Sequence, residues 1–226
     1  MNARTPLVLV LPGYQNSGAG HWQTRWEALD PSFTRVQMPD WDHPVRDAWC
    51  RALDTAVAAA DAPVLLAAHS LGCLTTAFWA AQYASAAQLA KVAGALLVAL
   101  PDPAGPHFPQ DASGFAPLPL ACLPFASIVV SSADDPYGGV PFSQSCANAW
   151  GSRWVDVGAR GHINADSGLG DWDEARGWLA SLGNPASGRR TPANCYCVMG
   201  PRVAVSRRAP REQGEPKSPE SHSASL

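Results

Sequence analysis

The chain has 226 residues, enough for one globular domain with a short additional segment. Hydrophobic residues make up 46% of it and the formal net charge is −3, so the totals indicate an ordinary core and argue against nucleic acid or an anionic membrane as a partner. No apolar run approaches the roughly 20 residues that cross a bilayer, and the first apolar run is too short for the core of a signal peptide. We therefore expect a cytoplasmic protein.

Six apolar runs of strand length alternate with segments of helical periodicity along the chain. The predicted strands are Leu7–Leu11, Thr34–Met38, Val64–Ala68, Val92–Leu100, Phe125–Val130 and Arg153–Val157. The predicted helices are His21–Leu29, a segment opening at Pro44, a segment opening at Leu71, Phe142–Trp150 and a segment starting near Asp171 with Glu174 in capping-box spacing. Unbroken apolar strands are typical of a parallel sheet with helices on both faces. The pattern therefore predicts an α/β fold with a doubly wound, mainly parallel, six-stranded sheet.

Two segments fall outside this alternation. Pro101–Leu123 is rich in Pro and Gly and has no clean periodicity, so we expect a long surface loop that forms a lid or a pocket wall. Residues 184–226 carry seven Lys or Arg against three Asp or Glu, with many Pro and Ser and few large apolar side chains. We therefore predict a globular domain over residues 1–183 and a disordered basic tail without a catalytic role over residues 184–226.

The cysteines show no pattern of a metal site. They are Cys50, Cys73, Cys122, Cys146, Cys195 and Cys197. The first four lie in apolar segments, where a free thiol packs like a small hydrophobic side chain. Because no C-x-x-C pair is present, we expect reduced cysteines, with neither a zinc site nor a disulfide framework.

One strand leads directly into a helix with a serine at the corner. The strand Val64–Ala68 is followed two residues later by Ser70, and a segment of helical length begins at Leu71. This is the nucleophile elbow of α/β-hydrolases, whose usual pattern is G-x-S-x-G. Residues 68–72 read Ala-His-Ser-Leu-Gly, and small residues are needed there because the corner is strained and strand and helix approach closely. Ser70 is therefore the predicted nucleophile, and residues 1–183 are the predicted α/β-hydrolase domain.

A serine hydroxyl needs a base that takes its proton and an acid that orients the base. His162 follows the last predicted strand in a Gly-rich loop, and Asp135 follows the preceding strand. The chain order of serine, aspartate and histidine is that of α/β-hydrolases and differs from the orders of chymotrypsin and subtilisin. Asp134 could be the acid instead, because spacing alone does not separate it from Asp135, although the Pro-Tyr that follows favours the second aspartate.

Backbone N–H groups must stabilise the oxyanion that forms on the substrate carbonyl. One is expected from Leu71, directly after the nucleophile, and the other from Tyr14, in the loop after the first strand. That loop lacks the Lys-Ser/Thr of a nucleotide phosphate-binding loop, and no G-x-G-x-x-G follows a strand. We therefore predict no cofactor and no metal.

The other histidines and the tryptophans are expected to have structural roles. His69 adjoins Ser70, but the turn should point it elsewhere, so we expect it to pack near the site. The histidines of the early and long loops are expected at the surface or at the pocket edge; they are His21, His43 and His107. Trp22, Trp26 and Trp41 could line a pocket, but aromatic side chains at helical spacing more often belong to the core.

Four motifs lie at or beside the ends of predicted strands. They are Leu-Pro-Gly-Tyr-Gln-Asn-Ser at 11–17 with His21-Trp22, Ala-His-Ser-Leu-Gly at 68–72, Ser-Ser-Ala-Asp-Asp-Pro-Tyr at 131–137 and Gly-His-Ile-Asn at 161–164. Together they resemble the retinoblastoma-binding-protein-9-like, or YdeN-type, serine hydrolases, over about Leu7–Leu182. The resemblance implies an α/β-hydrolase fold without a large cap domain and a triad of Ser70, Asp135 and His162. It also implies activity on small acyl esters without a cofactor.

One partner of that family is not expected here. The human member is named for binding a retinoblastoma protein through L-x-C-x-E, and the nearest strings in this chain, residues 71–75 and 120–124, do not end in Glu. The tail has no counterpart in the family pattern.

The sequence therefore predicts a carboxylesterase-like serine hydrolase that cleaves small acyl esters through a covalent acyl-enzyme on Ser70. Its expected partner is a small-molecule ester, and neither nucleic acid nor a membrane is expected. The alternative is a catalytically idle or slow hydrolase scaffold that acts as a protein-interaction module, because a fold does not guarantee its usual function.

Overall fold

The computed structural model describes residues 5–183; the predicted tail, residues 184–226, lies outside them. The strands are β1 Leu7–Leu11, β2 Phe33–Arg35, β3 Val64–His69, β4 Val92–Val98, β5 Ala126–Ser131 and β6 Arg153–Asp156. The helices are α1 Trp22–Leu29, α2 Arg46–Ala59, α3 Leu71–Gln82, α4 Ala86–Lys91, α5 Val140–Trp150 and α6 Asp173–Leu182, with a 3₁₀ turn at Ala165–Ser167. Within the described range, no helix combines the length and apolar character needed to cross a membrane.

The six strands form one sheet in the order β2-β1-β3-β4-β5-β6, and every neighbouring pair is parallel. Successive residues of β1 and β3 alternate between two hydrophobic clusters, one on each face of the sheet. Helices α2, α3 and α5 cover one face with side chains such as Trp49 and Phe78. Helices α1 and α6 cover the other face with Trp22, Trp26 and Leu179. The predicted doubly wound parallel sheet is confirmed.

The loop between β4 and β5 folds onto one helical layer. Residues 99–125 contain no helix and no strand. Phe115 is buried, with its ring centroid 6.3 Å from that of Trp49 and 6.4 Å from that of Phe78. Trp150 Nε1 donates a hydrogen bond of 2.8 Å to the carbonyl oxygen of Pro119. These contacts hold the segment against α2, α3 and α5 as a surface loop, so no large cap domain is built from it.

Helix α2 begins two residues later than predicted. Its N-cap is Val45, in an extended conformation, so Pro44 does not occupy the first helical position. Ser113 of the long loop explains the difference. Its N–H donates to the Pro44 carbonyl at 2.8 Å and its carbonyl accepts from the Arg46 N–H at 3.0 Å, which keeps the chain before Arg46 extended.

Two other helices differ from the prediction. Helix α4 was not predicted, although the capping box formed by Ser85 and Gln88 is visible in the sequence. Helix α6 begins at Asp173 behind an N-cap, Trp172, that has a positive φ of 41° and no side-chain cap. The predicted capping box is absent because Trp172 and not Asp171 is the N-cap; the Asp171 carboxylate pairs with Arg25 at 2.7 Å.

The cysteine prediction holds only in part. Cys50, Cys73 and Cys146 are free and buried. Burial raises the pKa of Cys50 and of Cys146 to about 12, so these thiols stay protonated and unreactive. Cys122 is disulfide-bonded, so the prediction of reduced cysteines is wrong at that position.

Candidate active site

Ser70 stands at the corner between β3 and α3. Its φ of 53° and ψ of −123° form a combination that residues with a side chain rarely adopt. Space at the corner is short, since a Cβ on Gly72 would lie 2.3 Å from the Leu11 carbonyl oxygen. A Cβ on Gly13 would lie 2.6 Å from the Ser70 Cβ. The small residues of the motif therefore allow the strained turn, which presents the Ser70 hydroxyl at the carboxyl end of β3.

Side chains from the ends of β3, β5 and β6 form one hydrogen-bonded line. Ser70 Oγ lies 3.0 Å from His162 Nε2, and His162 Nδ1 lies 2.9 and 3.0 Å from the two carboxylate oxygens of Asp135. Because a carboxylate only accepts, Nδ1 carries the imidazole proton and Nε2 accepts from the Ser70 hydroxyl. In this tautomer the imidazole can take the serine proton. The structure thus brings together the three side chains that the sequence singled out.

The two adjacent aspartates face different groups. The Asp135 side chain is 1% exposed and, besides the imidazole, accepts from the Tyr137 N–H at 2.9 Å. Asp134 accepts instead from Ser132 Oγ at 2.8 Å and from the Gly161 N–H at 2.7 Å. These two bonds hold the pKa of Asp134 below its ordinary value. In the structure, Asp135 contacts the imidazole, whereas Asp134 ties down the loop that carries it.

The loop around His162 is strained and firmly anchored. Ile163 has a φ of 50° although it is β-branched and fully buried, an unfavourable combination. The His162 carbonyl oxygen accepts from His69 Nε2 at 2.8 Å, and the Ile163 carbonyl oxygen accepts from Trp22 Nε1 at 2.9 Å. Neither hydrogen bond was predicted from the sequence, because the two residues of each pair are 93 and 141 positions apart.

Two backbone N–H groups near Ser70 are candidates to bind an oxyanion. Leu71 is the first residue of α3, where an N–H has no acceptor within the helix. Among the described residues, neither its N–H nor that of Tyr14 makes a hydrogen bond to a backbone carbonyl. A Cβ on Gly13 would lie 3.1 Å from Ser70 Oγ, so the loop that carries Tyr14 passes directly beside the hydroxyl.

A buried glutamine fixes this loop to the sheet. Gln23 is fully buried, and its Nε2 donates to the carbonyl oxygens of Leu11 at 3.0 Å and Ala67 at 2.9 Å. Its Oε1 accepts from Ser17 Oγ at 2.8 Å. The start of α1 therefore joins the ends of β1 and β3 to the loop beside Ser70.

His21 does not lie where it was predicted. It is 4% exposed and forms the N-cap of α1, with its Nδ1 accepting from the Gln23 N–H at 3.2 Å. Burial, assisted by the charges of Arg35 and His162, lowers the pKa of His21 to about 3. His43 and His107 are exposed, in agreement with the prediction.

A cavity of about 460 Å³ opens beside His162. Polar and apolar groups both line it; the lining residues are Pro136, Ala159, Arg160, Gly161, His162, Asn164, Asp166 and Ser167. Within residues 5–183 no group of three or more His, Cys, Asp or Glu is arranged to hold a metal ion.

Comparison with known proteins agrees with this geometry. The family model described as serine hydrolase matches residues 8–181. The structure of a YdeN-like hydrolase from Pectobacterium atrosepticum is 29% identical, with a TM-score of 0.69 over 79% of this chain and 91% of that one. A comparison with curated protein sequences finds no match.

More distant structures share the fold. The ydeN gene product of B. subtilis is 20% identical, with a TM-score of 0.59 over 79% of this chain and 98% of that one. A thermophilic esterase from Thermogutta terrifontis is 15% identical, with a TM-score of 0.56 over 80% of this chain and 92% of that one. Because the family model spans most of the described residues, the chain belongs to the serine hydrolase family, the YdeN-type family that its motifs resemble.

Proposed function

We propose that the protein is a carboxylesterase-like hydrolase that cleaves small acyl esters through a covalent acyl-enzyme on Ser70. The proposal rests on the hydrogen-bonded line from Ser70 Oγ through His162 to Asp135, with contacts of 3.0 and 2.9 Å. Membership of the serine hydrolase family supports hydrolysis as the reaction class.

Ser70, His162 and Asp135 each have one role in the reaction. Ser70 gives its proton to His162 Nε2 while Oγ bonds to the ester carbonyl carbon. The carbonyl electron pair moves to oxygen, and the N–H groups of Leu71 and Tyr14 stabilise the oxyanion. Its collapse breaks the bond to the alcohol, which leaves with the proton from His162. Asp135 holds the imidazole tautomer and stabilises the imidazolium throughout.

A water molecule completes the cycle. It gives a proton to His162 as its oxygen bonds to the acyl carbon, and the second oxyanion meets the same N–H groups. Collapse releases the acid, and Ser70 regains its proton from the imidazolium. Because His162 must protonate the leaving alcohol, that part of the substrate lies on the His162 side of the site. The cavity of about 460 Å³ beside His162 offers room for a small alcohol portion on that side.

Substitution of the nucleophile tests the proposal. Ser70→Ala should lower the hydrolysis of short-chain esters by about 10³-fold or more and abolish labelling by a fluorophosphonate probe. The matched control is Ser143→Ala, which removes a buried hydroxyl that has no hydrogen-bond partner among the described residues. That variant should keep both activities. Wild-type turnover by Ser70→Ala would contradict the assignment, and amides with the same acyl group would show which bond is preferred.

A further inference from the structure

Three imidazoles form a column beside the nucleophile: His21, His69 and His162. The ring centroids of His21 and His69 are 4.7 Å apart, and those of His69 and His162 are 4.8 Å apart, both edge-to-face. The middle ring, on the last residue of β3, is only 5% exposed. The catalytic steps proposed above use only His162, so the buried polar ring of His69 is left without a role.

We propose that His69 is a positioning residue whose Nε2–H holds the backbone carbonyl of His162 and thereby fixes the imidazole between Ser70 and Asp135. This inference deepens the proposed function and rests on it. Its geometric basis is the contact of 2.8 Å between His69 Nε2 and the His162 carbonyl oxygen.

The contact defines the state of the His69 ring. A carbonyl oxygen only accepts, so the ring nitrogen that faces it must carry the proton. Burial, together with the neighbouring His21 and His162, holds the pKa of His69 well below its ordinary value. His69 is therefore a neutral donor at neutral pH, with its Nε2 protonated, and places no charge beside the imidazolium that forms during the reaction.

The strain of the loop explains why such a donor is needed. A β-branched residue with positive φ, such as Ile163 at 50°, persists only where its surroundings fix it. His69 and Trp22 hold two successive carbonyl groups, those of His162 and Ile163. Without the His69 donor, one of the two anchors is lost and the imidazole is free to move relative to Ser70. A displacement of about 1 Å in a catalytic group can cost roughly 10²-fold in rate.

The first helix supports His69 from the opposite side. The Gln23 N–H donates to His21 Nδ1 at 3.2 Å, so the neutral His21 ring carries its own proton on Nε2. This orientation places the His21 ring edge-to-face with His69. The column thus connects the start of α1 with the loop after β6.

Two amide variants of His69 test the proposal. Gln places its amide N–H close to where the imidazole Nε2–H stood, whereas Asn has the same amide on a shorter side chain. His69→Asn should lower kcat for a short-chain ester by roughly 10- to 100-fold while KM changes by less than about threefold. His69→Gln should recover most of the lost kcat. The control is Ser127→Ala, equally buried at 6% exposure and hydrogen-bonded to Ser152, which should leave kcat unchanged.

NMR gives a readout that does not depend on turnover. In protein with ¹⁵N-labelled histidine, His69 should be neutral with its proton on Nε2. The downfield proton of the His162–Asp135 hydrogen bond should be retained in His69→Gln and shifted or broadened in His69→Asn. A His69 proton on Nδ1 would overturn the proposal, as would unchanged kcat together with an unchanged His162 signal in His69→Asn.

The two proposals fail in different ways. If the wild-type protein neither hydrolyses esters nor reacts with the fluorophosphonate, the proposed function is wrong, and the NMR signals still decide whether His69 positions His162. If the wild type is active and His69→Asn equals it in kcat and in the His162 signal, only the positioning role is wrong. If His69→Asn does not fold, two other measurements decide whether His69 positions His162. They are the tautomer of His69 in the wild type and the kcat of His69→Gln.

Discussion

Asp134 and Asp135 are neighbours in the chain, yet their carboxylates stabilise different parts of the site. Asp135 orients a ring, whereas Asp134 accepts from the Gly161 N–H one residue before that ring. Both carboxylates therefore act on the position of His162, one through the side chain and one through the backbone. Substitution by the isosteric amide separates these two actions, because an amide can still accept a hydrogen bond but can no longer impose the imidazole tautomer by charge.

Asp135→Asn should lower kcat by roughly 10³- to 10⁴-fold, because the amide favours the wrong tautomer of His162. Asp134→Asn keeps an acceptor for the Gly161 N–H and should lower kcat by less than about tenfold. Steady-state kinetics on one short-chain ester measure both effects, and urea unfolding checks that both variants are folded. The opposite ranking would make Asp134 the catalytic acid.

The residues of this site differ in how far the sequence could predict them. Ser70, Asp135 and His162 each follow a strand, and parallel strands bring their carboxyl ends to one edge, so topology alone places them near one another. The direction in which a turn points two adjacent aspartates depends on hydrogen bonds that spacing does not encode. The contact of His69 joins residues 93 positions apart and depends on the side-chain packing of α1 and the last loop.

At the scale of elements, the elbow depends on how closely α3 approaches β1. A Cβ on Gly72 would lie 2.3 Å from the carbonyl oxygen of Leu11 and 2.9 Å from that of Pro12, both rigid backbone atoms. Gly177 in α6 is the opposite case, since a Cβ there would have no atom within 4 Å. The same substitution at these two glycines should therefore have effects of opposite sign.

Gly72→Ala should destabilise the protein by about 2 kcal/mol or more and slow fluorophosphonate labelling, because strand and helix must separate at the nucleophile. Gly177→Ala should stabilise it by about 0.5–1 kcal/mol, since alanine loses less backbone freedom in a helix. Urea unfolding of the two variants beside the wild type measures both changes. A small, equal effect at both positions would show that the approach of α3 to β1 is looser than the structure indicates.

The element boundaries show where local pattern and tertiary contacts compete. Strand β1 has the predicted bounds because its apolar run is buried in the sheet from Val8 to Leu11 and partly buried at Leu7. Helix α2 begins late because Ser113, far along the chain, pairs with the backbone at Pro44 and Arg46. Helix α4 has only six residues, too few to show a periodic apolar face, and its signal is the capping box alone.

At the scale of the whole molecule, the sheet and its two helical layers follow from alternating apolar segments, which is why the fold class was predictable. The cytoplasmic location, the absence of a cofactor or macromolecular partner, and the nature of the tail stay predictions. The burial of His21 and the contact that His69 makes with the last loop were not predictable in this way. Both rings lie where the loop after β1, the end of β3 and the loop after β6 meet, so their environment exists only in the assembled fold.

This burial should make the stability of the fold depend on pH. The pKa of His21 is lowered from 6.5 to about 3, so the unfolded chain takes up its proton at a higher pH than the folded one. The stability that neutral His21 contributes is complete above about pH 6.5 and is lost as the pH falls towards 3, by about 1.4 kcal/mol per pH unit. His69 acts in the same direction because its pKa is also lowered by burial.

His21→Asn isolates this contribution. Asparagine keeps an N-cap acceptor for the Gln23 N–H but does not titrate. Between about pH 7 and pH 4.5, the wild type should therefore lose roughly 2.5 kcal/mol more unfolding free energy than the variant, measured by urea denaturation at both pH values. The carboxylates are present in both proteins, so their contributions cancel in the difference. Equal losses would mean that His21 is open to protonation in the folded state, and the imidazole column would then carry a charge next to His69 at mildly acidic pH.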